Sequence, residues 1–138
     1  MSLRYRLLAW MMAATCGGCM SRMPSAERLP VDHVECARCR MLISTEVGSA
    51  QIVSADADTR FYDDVGCFAA DWAKHARGDR AFVRVATGAW VDAAEAVYVR
   101  PGAARTAMGS GLIAHRSAAD AAGAATLTFD DVVRGAHQ

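Results

Sequence analysis

The chain has 138 residues, with 15 basic and 15 acidic side chains and a formal net charge of zero at neutral pH. This balance excludes the class of proteins that bind nucleic acids through a strongly basic face. The length suits one modest domain or two very small lobes.

Residues 1–18 predict a bacterial lipoprotein signal peptide. A short basic start is followed by an apolar stretch over residues 7–14. This stretch is too short for a membrane-spanning helix, which needs about 20 residues, but it suits a signal peptide. Two glycines precede Cys19, which we expect to carry lipid. The lipid is expected to anchor the protein in the cell envelope, facing the periplasm, with the outer membrane as the expected location. Lipid at Cys16, or an ordinary secreted protein, is the alternative.

Residues 19–32 predict a flexible tether, because two prolines interrupt regular structure there. The tether leads into the motif Cys36-Ala-Arg-Cys39-Arg-Met41, which places three soft sulfur donors close together. Thiolates and thioethers select Cu(I) over hard cations such as Mg²⁺. The motif therefore predicts a copper site.

The cysteine count leaves two other interpretations open. Without the leader and the lipidated residue, Cys36, Cys39 and Cys67 remain, and an odd number leaves one thiol over in any closed disulfide set. A Cys36–Cys39 disulfide with Cys67 free is one alternative. A zinc site with four ligands is the other, and it would need His33 as the fourth ligand.

The hydrophobic pattern after this motif predicts a β-hairpin and then a helix. Residues 48–53 and 59–62 are the two expected strands, joined by a polar turn. Asp63 and Asp64 predict a helix N-cap with acidic charge that favours the helix dipole. The helix is expected to end near His75. Its apolar face, at spacings of three and four, comprises Val65, Phe68, Ala69 and Trp72.

Short strands and glycine-rich turns make up the second half of the chain, so the predicted fold class is α+β with antiparallel strands. An alanine-rich helix is expected from Ser117 to Ala122, and a last helical turn opens at Asp130. The further predicted strands are residues 82–85, 96–99, 109–114 and 125–128.

One motif recurs along the chain. Tyr62-Asp-Asp-Val65 returns as Phe129-Asp-Asp-Val132, and the same offset of 67 residues carries Met41 onto Met108. The recurrence favours an old duplication of a ββα-type unit. It divides the domain at residues 33–138 into lobes at 33–78 and 79–138.

Five motifs follow one another between about Cys36 and Ala122. They are Cys36-x-x-Cys39-x-Met41, Gln51-Ile52, Phe61-Tyr62-Asp63-Asp64-Val65-Gly66-Cys67, Trp90-Val91-Asp92-Ala93 and Met108-Gly109-Ser110-Gly111. As an ordered set, these motifs resemble the NosL-like family of nitrous-oxide-reductase accessory lipoproteins. The resemblance implies two similar ββαβ lobes and a lipid-tethered Cu(I) chaperone that supplies the copper centre of nitrous oxide reductase.

The resemblance also implies which residues bind copper. The Cys-x-Met element of the family falls on Cys39 and Met41, and its Met-Gly element falls on Met108. Relatives usually carry an aromatic residue where this chain has His115, so that histidine is either an extra ligand or a neutral surface substitution. Two more cysteines match only some relatives. The full predicted metal-ligand set is Cys36, Cys39, Met41, Cys67, Met108 and His115.

Local chemistry gives expectations for individual ligands. Arg38 and Arg40, together with bound metal, are expected to lower the pKa of Cys39. A second interpretation of Cys67 is a buried structural thiol packed beside Phe68. Met41 has a second interpretation as a core residue.

The predicted function is metal binding without catalytic turnover. The expected partners are a copper enzyme or its maturation machinery, the membrane through the lipid, and a second copy in a homodimer. One alternative is a periplasmic thiol-disulfide oxidoreductase that uses Cys36 and Cys39. The other is a structural lipoprotein that binds no metal.

Overall fold

The computed structural model describes residues 23–56, 58–75, 78–102 and 104–136, which form an α+β fold with two antiparallel sheets and two helices. The predicted signal peptide, Cys16 and Cys19 lie outside these residues. Within the described ranges, no helix has the length and apolar character needed to cross a membrane.

The larger sheet has four antiparallel strands in the order β2-β1-β3-β4. Its strands are β1 (Ala50–Val53), β2 (Thr59–Tyr62), β3 (Arg80–Arg84) and β4 (Trp90–Asp92). Every residue of β1 is buried, as expected for a strand with a neighbour on each side. The predicted hairpin of β1 and β2 is confirmed. Strand β4 was not predicted, because a strand of only three half-buried residues shows no clear alternation of apolar and polar side chains.

The end of the predicted tether packs on this sheet. The buried Gln51 side chain accepts a hydrogen bond from the Glu27 N–H at 2.7 Å and donates one to the Glu27 carbonyl at 2.9 Å. Leu29 is buried two residues later. The chain is therefore attached to the domain from Glu27 onward, inside the range 19–32 that was expected to be flexible.

Helix α1 (Val65–Trp72) begins where the sequence predicts. Asp64 is its N-cap, and a side-chain oxygen of Asp64 accepts a hydrogen bond from the Gly66 N–H. The predicted apolar face packs inward, with Val65 and Phe68 fully buried. The helix ends at Trp72, three residues before the expected end at His75.

The smaller sheet pairs β5 (Val97–Val99) with β6 (Ile113–His115). A parallel bridge between Val85 and Ala114 joins it to the larger sheet. The glycine-rich strand predicted over residues 109–114 begins only at Ile113. Gly109 and Gly111 have φ values of 73° and 66°, a left-handed conformation that does not continue a strand.

Helix α2 (Phe129–Gly135) extends the predicted last helical turn. The side chains of Thr128 and Asp131 form a capping box at its start. The helix expected from Ser117 to Ala122 is wrong: each hydrogen bond there joins residues three apart, as from the Asp120 N–H to the Ser117 carbonyl, and the segment forms successive turns. The strand predicted at 125–128 is reduced to one bridge, between Leu127 and Tyr98.

Aromatic rings join the two helices in the core. The Phe68 ring of α1 stacks on the Phe129 ring of α2 at a centroid distance of 5.8 Å. Tyr62 meets the Phe68 ring edge-on at 5.9 Å. Burial of these rings holds the end of β2, the start of α1 and the start of α2 in one packed unit.

Candidate metal centre

The cysteine motif forms a tight turn. The Cys36 N–H donates to the Met41 carbonyl at 2.8 Å, and the Arg40 N–H donates to the Cys36 carbonyl at 3.0 Å. Arg40 has a φ of 66°, in the left-handed region that reverses the chain within few residues. The turn brings the Cys36 and Cys39 thiols to the same place.

A hydrogen bond to the larger sheet fixes this turn beside α1. The Ala37 N–H donates to the Phe61 carbonyl on β2 at 2.8 Å. Strand β2 then leads through Asp63 into α1, which carries Cys67 in its first turn. The hydrophobic packing of the hairpin and helix thereby sets the position of the distant thiol.

The three thiols and one carboxylate form a cluster. The sulfur atoms of Cys36, Cys39 and Cys67 and one carboxylate oxygen of Asp63 all lie within 4.8 Å of one another. We call these four residues the thiol–carboxylate cluster. All three cysteines are free thiols, so the Cys36–Cys39 disulfide, which was the alternative interpretation, is not formed in this structure. The cluster can hold a metal ion.

The members of the cluster differ in exposure. Cys36 has no exposed surface, and Cys67 and Asp63 are 7% and 4% exposed. Cys39 is half-buried, which makes it the most accessible of the three thiols. A metal ion or a partner molecule would therefore reach Cys39 first.

Burial raises the pKa of two of the thiols, Cys39 and Cys67. Desolvation is the largest cause of a raised pKa at Cys39, and the nearby Cys36 and Asp63 raise it further, against a lowering effect of the Met41 N–H. The expected lowering by arginine is not found, because Arg40 pairs instead with Glu35 at 2.8 Å. Burial also raises the pKa of Cys67. A metal ion must therefore displace thiol protons when it binds.

Asp63 is the cluster member that the sequence analysis assigned to another role. It was predicted to cap α1, but Asp64 alone is the N-cap. Oδ2 of Asp63 accepts a hydrogen bond from the Cys39 thiol at 3.5 Å. Oδ1 is buried and has no hydrogen-bond partner among the described residues. A helix N-cap needs only one acidic residue, and here two are adjacent. The second acidic residue was therefore the sequence signal that could have identified Asp63 as a member of the cluster.

Asp64 connects α1 to the loop that carries Met108. Its Oδ2 accepts a hydrogen bond from the Met108 N–H at 3.0 Å, while Oδ1 accepts from Gly66. Burial alone would raise the pKa of Asp64. Hydrogen bonds from Ser110, Thr106 and these two amides outweigh burial and hold the pKa below its ordinary value. The charged carboxylate thus fixes the Met108 loop at the helix N-terminus.

A cavity of about 300 Å³ connects this loop to the cluster. Cys67 and Met108 both line it, together with the cationic side chains of Arg38 and Arg100. Met108 is 44% exposed, so the cavity extends from the protein surface to Cys67.

The two remaining predicted ligands lie at the surface or away from the cluster. Met41 ends the cysteine turn and is 54% exposed, which rules out its interpretation as a core residue. His115 lies on β6, paired with Val97, and is not among the residues that the structure groups around the thiols. His33 is exposed and is likewise outside this group.

No family model, curated protein or solved structure matches the chain. Geometry and donor atoms alone therefore indicate what the cluster and its cavity can bind.

Proposed function

We propose that this protein is a Cu(I)-binding chaperone, similar to the NosL-like proteins, that delivers copper to an extracytoplasmic enzyme such as nitrous oxide reductase. It binds and releases the ion and catalyses no reaction. The observation that carries the proposal is the convergence of three thiols within 4.8 Å, although Cys67 is far from the other two in sequence.

The donor set favours a soft ion. Cu(I) prefers thiolate and thioether sulfur, whereas Mg²⁺ and Ca²⁺ prefer oxygen. Cys36, Cys39 and Cys67 offer three sulfurs, and two of them are shielded from solvent. Buried sulfur ligands hold the ion away from water and from competing chelators.

The exposed thioethers support the transfer step. Met41 is two residues after Cys39 in the sequence, and Met108 shares a cavity with Cys67. A thioether carries no proton to lose, so it can bind or release Cu(I) without a change of charge. We propose that Cys39, Met41 and Met108 form the outer part of the copper site. A ligand of the client replaces one of these sulfurs at a time.

The proposal extends to the location of the protein. Lipid at Cys19, after removal of residues 1–18, would hold the domain at the periplasmic side of the cell envelope, most simply in the outer membrane. The attachment of Glu27 to Gln51 leaves only a short tether before the domain begins. The client enzyme or its maturation machinery would therefore meet the site near the membrane.

The finer fold proposal is an old duplication into two ββαβ lobes at 33–78 and 79–138. The order β1, β2, α1 and β3 supplies one such ββαβ run. Because β3 lies after residue 78, the first sheet takes strands from both proposed lobes. An exchange of strands between the two lobes after duplication is one way to reach this arrangement. We also propose that the protein forms a homodimer.

A Cu(I) competition titration tests the function. The purified, reduced full chain is titrated anaerobically against a coloured Cu(I) chelator, as wild type and as Cys39→Ser, Met108→Ala and Met41→Ala. We expect the Cys39→Ser variant to bind Cu(I) about 10–100-fold more weakly than wild type. Removal of a residue that only supports a metal ligand already weakens metal binding by this factor. The alanine variants should lose less, because a neutral thioether contributes less than a thiolate.

Met23→Ala is the matched control, because Met23 is exposed and lines a different cavity. It should leave the Cu(I) affinity unchanged. Absence of Cu(I) binding, or equal affinities in Cys39→Ser and Met23→Ala, would contradict the proposal. Reduction of insulin by the same preparation would instead favour the oxidoreductase alternative, although the complete burial of Cys36 argues against it.

A further inference from the structure

We propose that the thiol–carboxylate cluster is also a four-ligand site for a borderline divalent cation, zinc by its chemistry, with Asp63 as the fourth ligand. This inference uses the same three thiols as the proposed copper function. It adds a ligand and a second class of metal, and it does not require that copper bind.

Asp63 has no structural role that explains its burial. Asp64 provides the N-cap of α1 and the contact with Met108, so neither task falls to Asp63. Asp63 is 4% exposed, and among the residues that the structure describes it forms no ion pair with Lys, Arg or His. A buried carboxylate normally has a cation or several hydrogen bonds.

One carboxylate oxygen of Asp63 lies in the cluster. Oδ2 contacts the Cys39 thiol, while Oδ1 is buried and has no hydrogen-bond partner among the described residues. A bound cation would supply the positive charge that this buried carboxylate lacks and would also stabilise the three thiolates. One ion would therefore bind all four members of the cluster.

The number and type of donors fit zinc. Structural zinc sites have four ligands in a tetrahedron, drawn from cysteine, histidine and carboxylate groups. With a zinc–sulfur distance of about 2.3 Å, two sulfurs of a tetrahedral site lie about 3.8 Å apart. The ligand atoms here are within 4.8 Å of one another, so a small contraction completes the site. Cu(I) gains little from a carboxylate oxygen, because it prefers sulfur.

The two metals would share the three thiols. In the zinc state the thiols bind together with Asp63, whereas in the copper state they bind together with the exposed methionines. Zinc would thus hold the thiols as thiolates until Cu(I) replaces it. Substitutions at Asp63 and at the methionines should therefore affect different metals.

Cobalt(II) is the probe, since it occupies zinc sites and its absorption reports geometry and sulfur ligation. The reduced full chain is titrated anaerobically with Co(II) alone, followed by Zn(II) displacement. We expect one Co(II) per chain, with a tetrahedral visible spectrum and a sulfur-to-cobalt charge-transfer band. Asp63→Asn should weaken Co(II) binding by about 10–100-fold. Asp130→Asn is the matched control, because Asp130 follows Phe129 as Asp63 follows Tyr62 but is exposed.

Asp63→Cys is a second variant that restores four ligands. It should keep the tetrahedral spectrum and strengthen the charge-transfer band, because four sulfurs replace three. Met41→Ala and Met108→Ala should bind Co(II) as wild type does, although the copper proposal expects them to weaken Cu(I).

The outcomes distinguish this inference from the copper function. An octahedral Co(II) spectrum without sulfur charge transfer would overturn it, as would equal Co(II) affinities and spectra in Asp63→Asn and Asp130→Asn. A protein that binds Co(II) as expected but not Cu(I) would refute the proposed chaperone function and leave the zinc site standing.

Discussion

The segments Tyr62–Val65 and Phe129–Val132 have nearly the same sequence, and each lies at the start of a helix. In the first segment both acidic residues are buried. Asp63 belongs to the thiol–carboxylate cluster, and Asp64 caps α1 and holds the Met108 loop. In the second segment Asp130 is exposed, and Asp131 serves the capping box of α2 at the surface.

The two segments also differ in their register on the helix. Asp64 precedes the first residue of α1 as the N-cap, whereas Asp131 is the third residue of α2. Tyr62 ends a strand, but its counterpart Phe129 is already helical. A difference of a few residues in where a helix starts therefore changes what the same side chains contact. The buried pair, Asp63 and Asp64, takes part in the candidate site. The pair at the surface, Asp130 and Asp131, contributes only the local cap of α2.

The largest difference between the two segments is expected for removal of the capping carboxylates. Asp64→Ala should lower the free energy of unfolding by about 2–3 kcal/mol, because it removes a buried cap and leaves the Met108 N–H without its acceptor. Asp131→Ala should lower it less, since water can replace a surface cap. Urea denaturation of both variants measures the difference. Equal losses would show that burial of Asp64 adds nothing to its cap.

Glycine substitutions should change stability in opposite directions in the two helices. A Cβ on Gly66 would lie 2.6 Å from the Ser110 Cβ, so Gly66→Ala should destabilise the fold by about 1–3 kcal/mol. A Cβ on Gly135 meets no atom within 4 Å, so Gly135→Ala should stabilise it by up to about 1 kcal/mol. Thermal and urea unfolding provide the measurement. A stabilised Gly66→Ala variant would mean that the Ser110 loop is free to move away.

The aromatic positions of the two segments also differ. The Tyr62 hydroxyl donates to Asp71 Oδ2 at 2.8 Å in the core, whereas Phe129 has no hydroxyl. Tyr62→Phe should cost about 1.5 kcal/mol of unfolding free energy, because a buried carboxylate loses a donor. Urea denaturation at neutral pH tests this. Tyr98→Phe is the control and should cost less, because that buried hydroxyl donates to the neutral Ala93 carbonyl. No loss in Tyr62→Phe would imply that Lys74 alone satisfies Asp71.

The smallest expected effect is a change with pH at α2. Hydrogen bonds from the Thr128 side chain and backbone, followed by Arg134, lower the pKa of Asp131 from 3.8 to about 2. Because the folded pKa is the lower one, this contribution to stability is present above pH 3.8 and is lost as the pH falls through about 2. An NMR titration of Asp131 should show the lowered midpoint, and Thr128→Ala should raise it. A wild-type midpoint near 3.8 would contradict the capping box.

Local patterns allowed much of the fold to be predicted. The β1–β2 hairpin and the start of α1 follow from alternating apolar residues and from one acidic cap, which act over a few residues. The segment at 117–122 was predicted incorrectly, because alanine favours a helix but too few residues lie before Gly123, whose φ of 79° ends the helical path. Strand β4 was missed because three residues show no period.

The sequence alone identified the sulfur donors, because their chemistry belongs to the residue types Cys36, Cys39 and Cys67 and does not depend on their position. Only the tertiary structure decided which groups meet. The hydrogen bond from Ala37 to Phe61 places the cysteine turn beside α1, and the same packing buries Asp63 among the thiols. Such contacts depend on how distant segments pack against each other. The sequence could therefore identify the three thiols of the cluster, but its fourth member, Asp63, is recognised only in the folded chain.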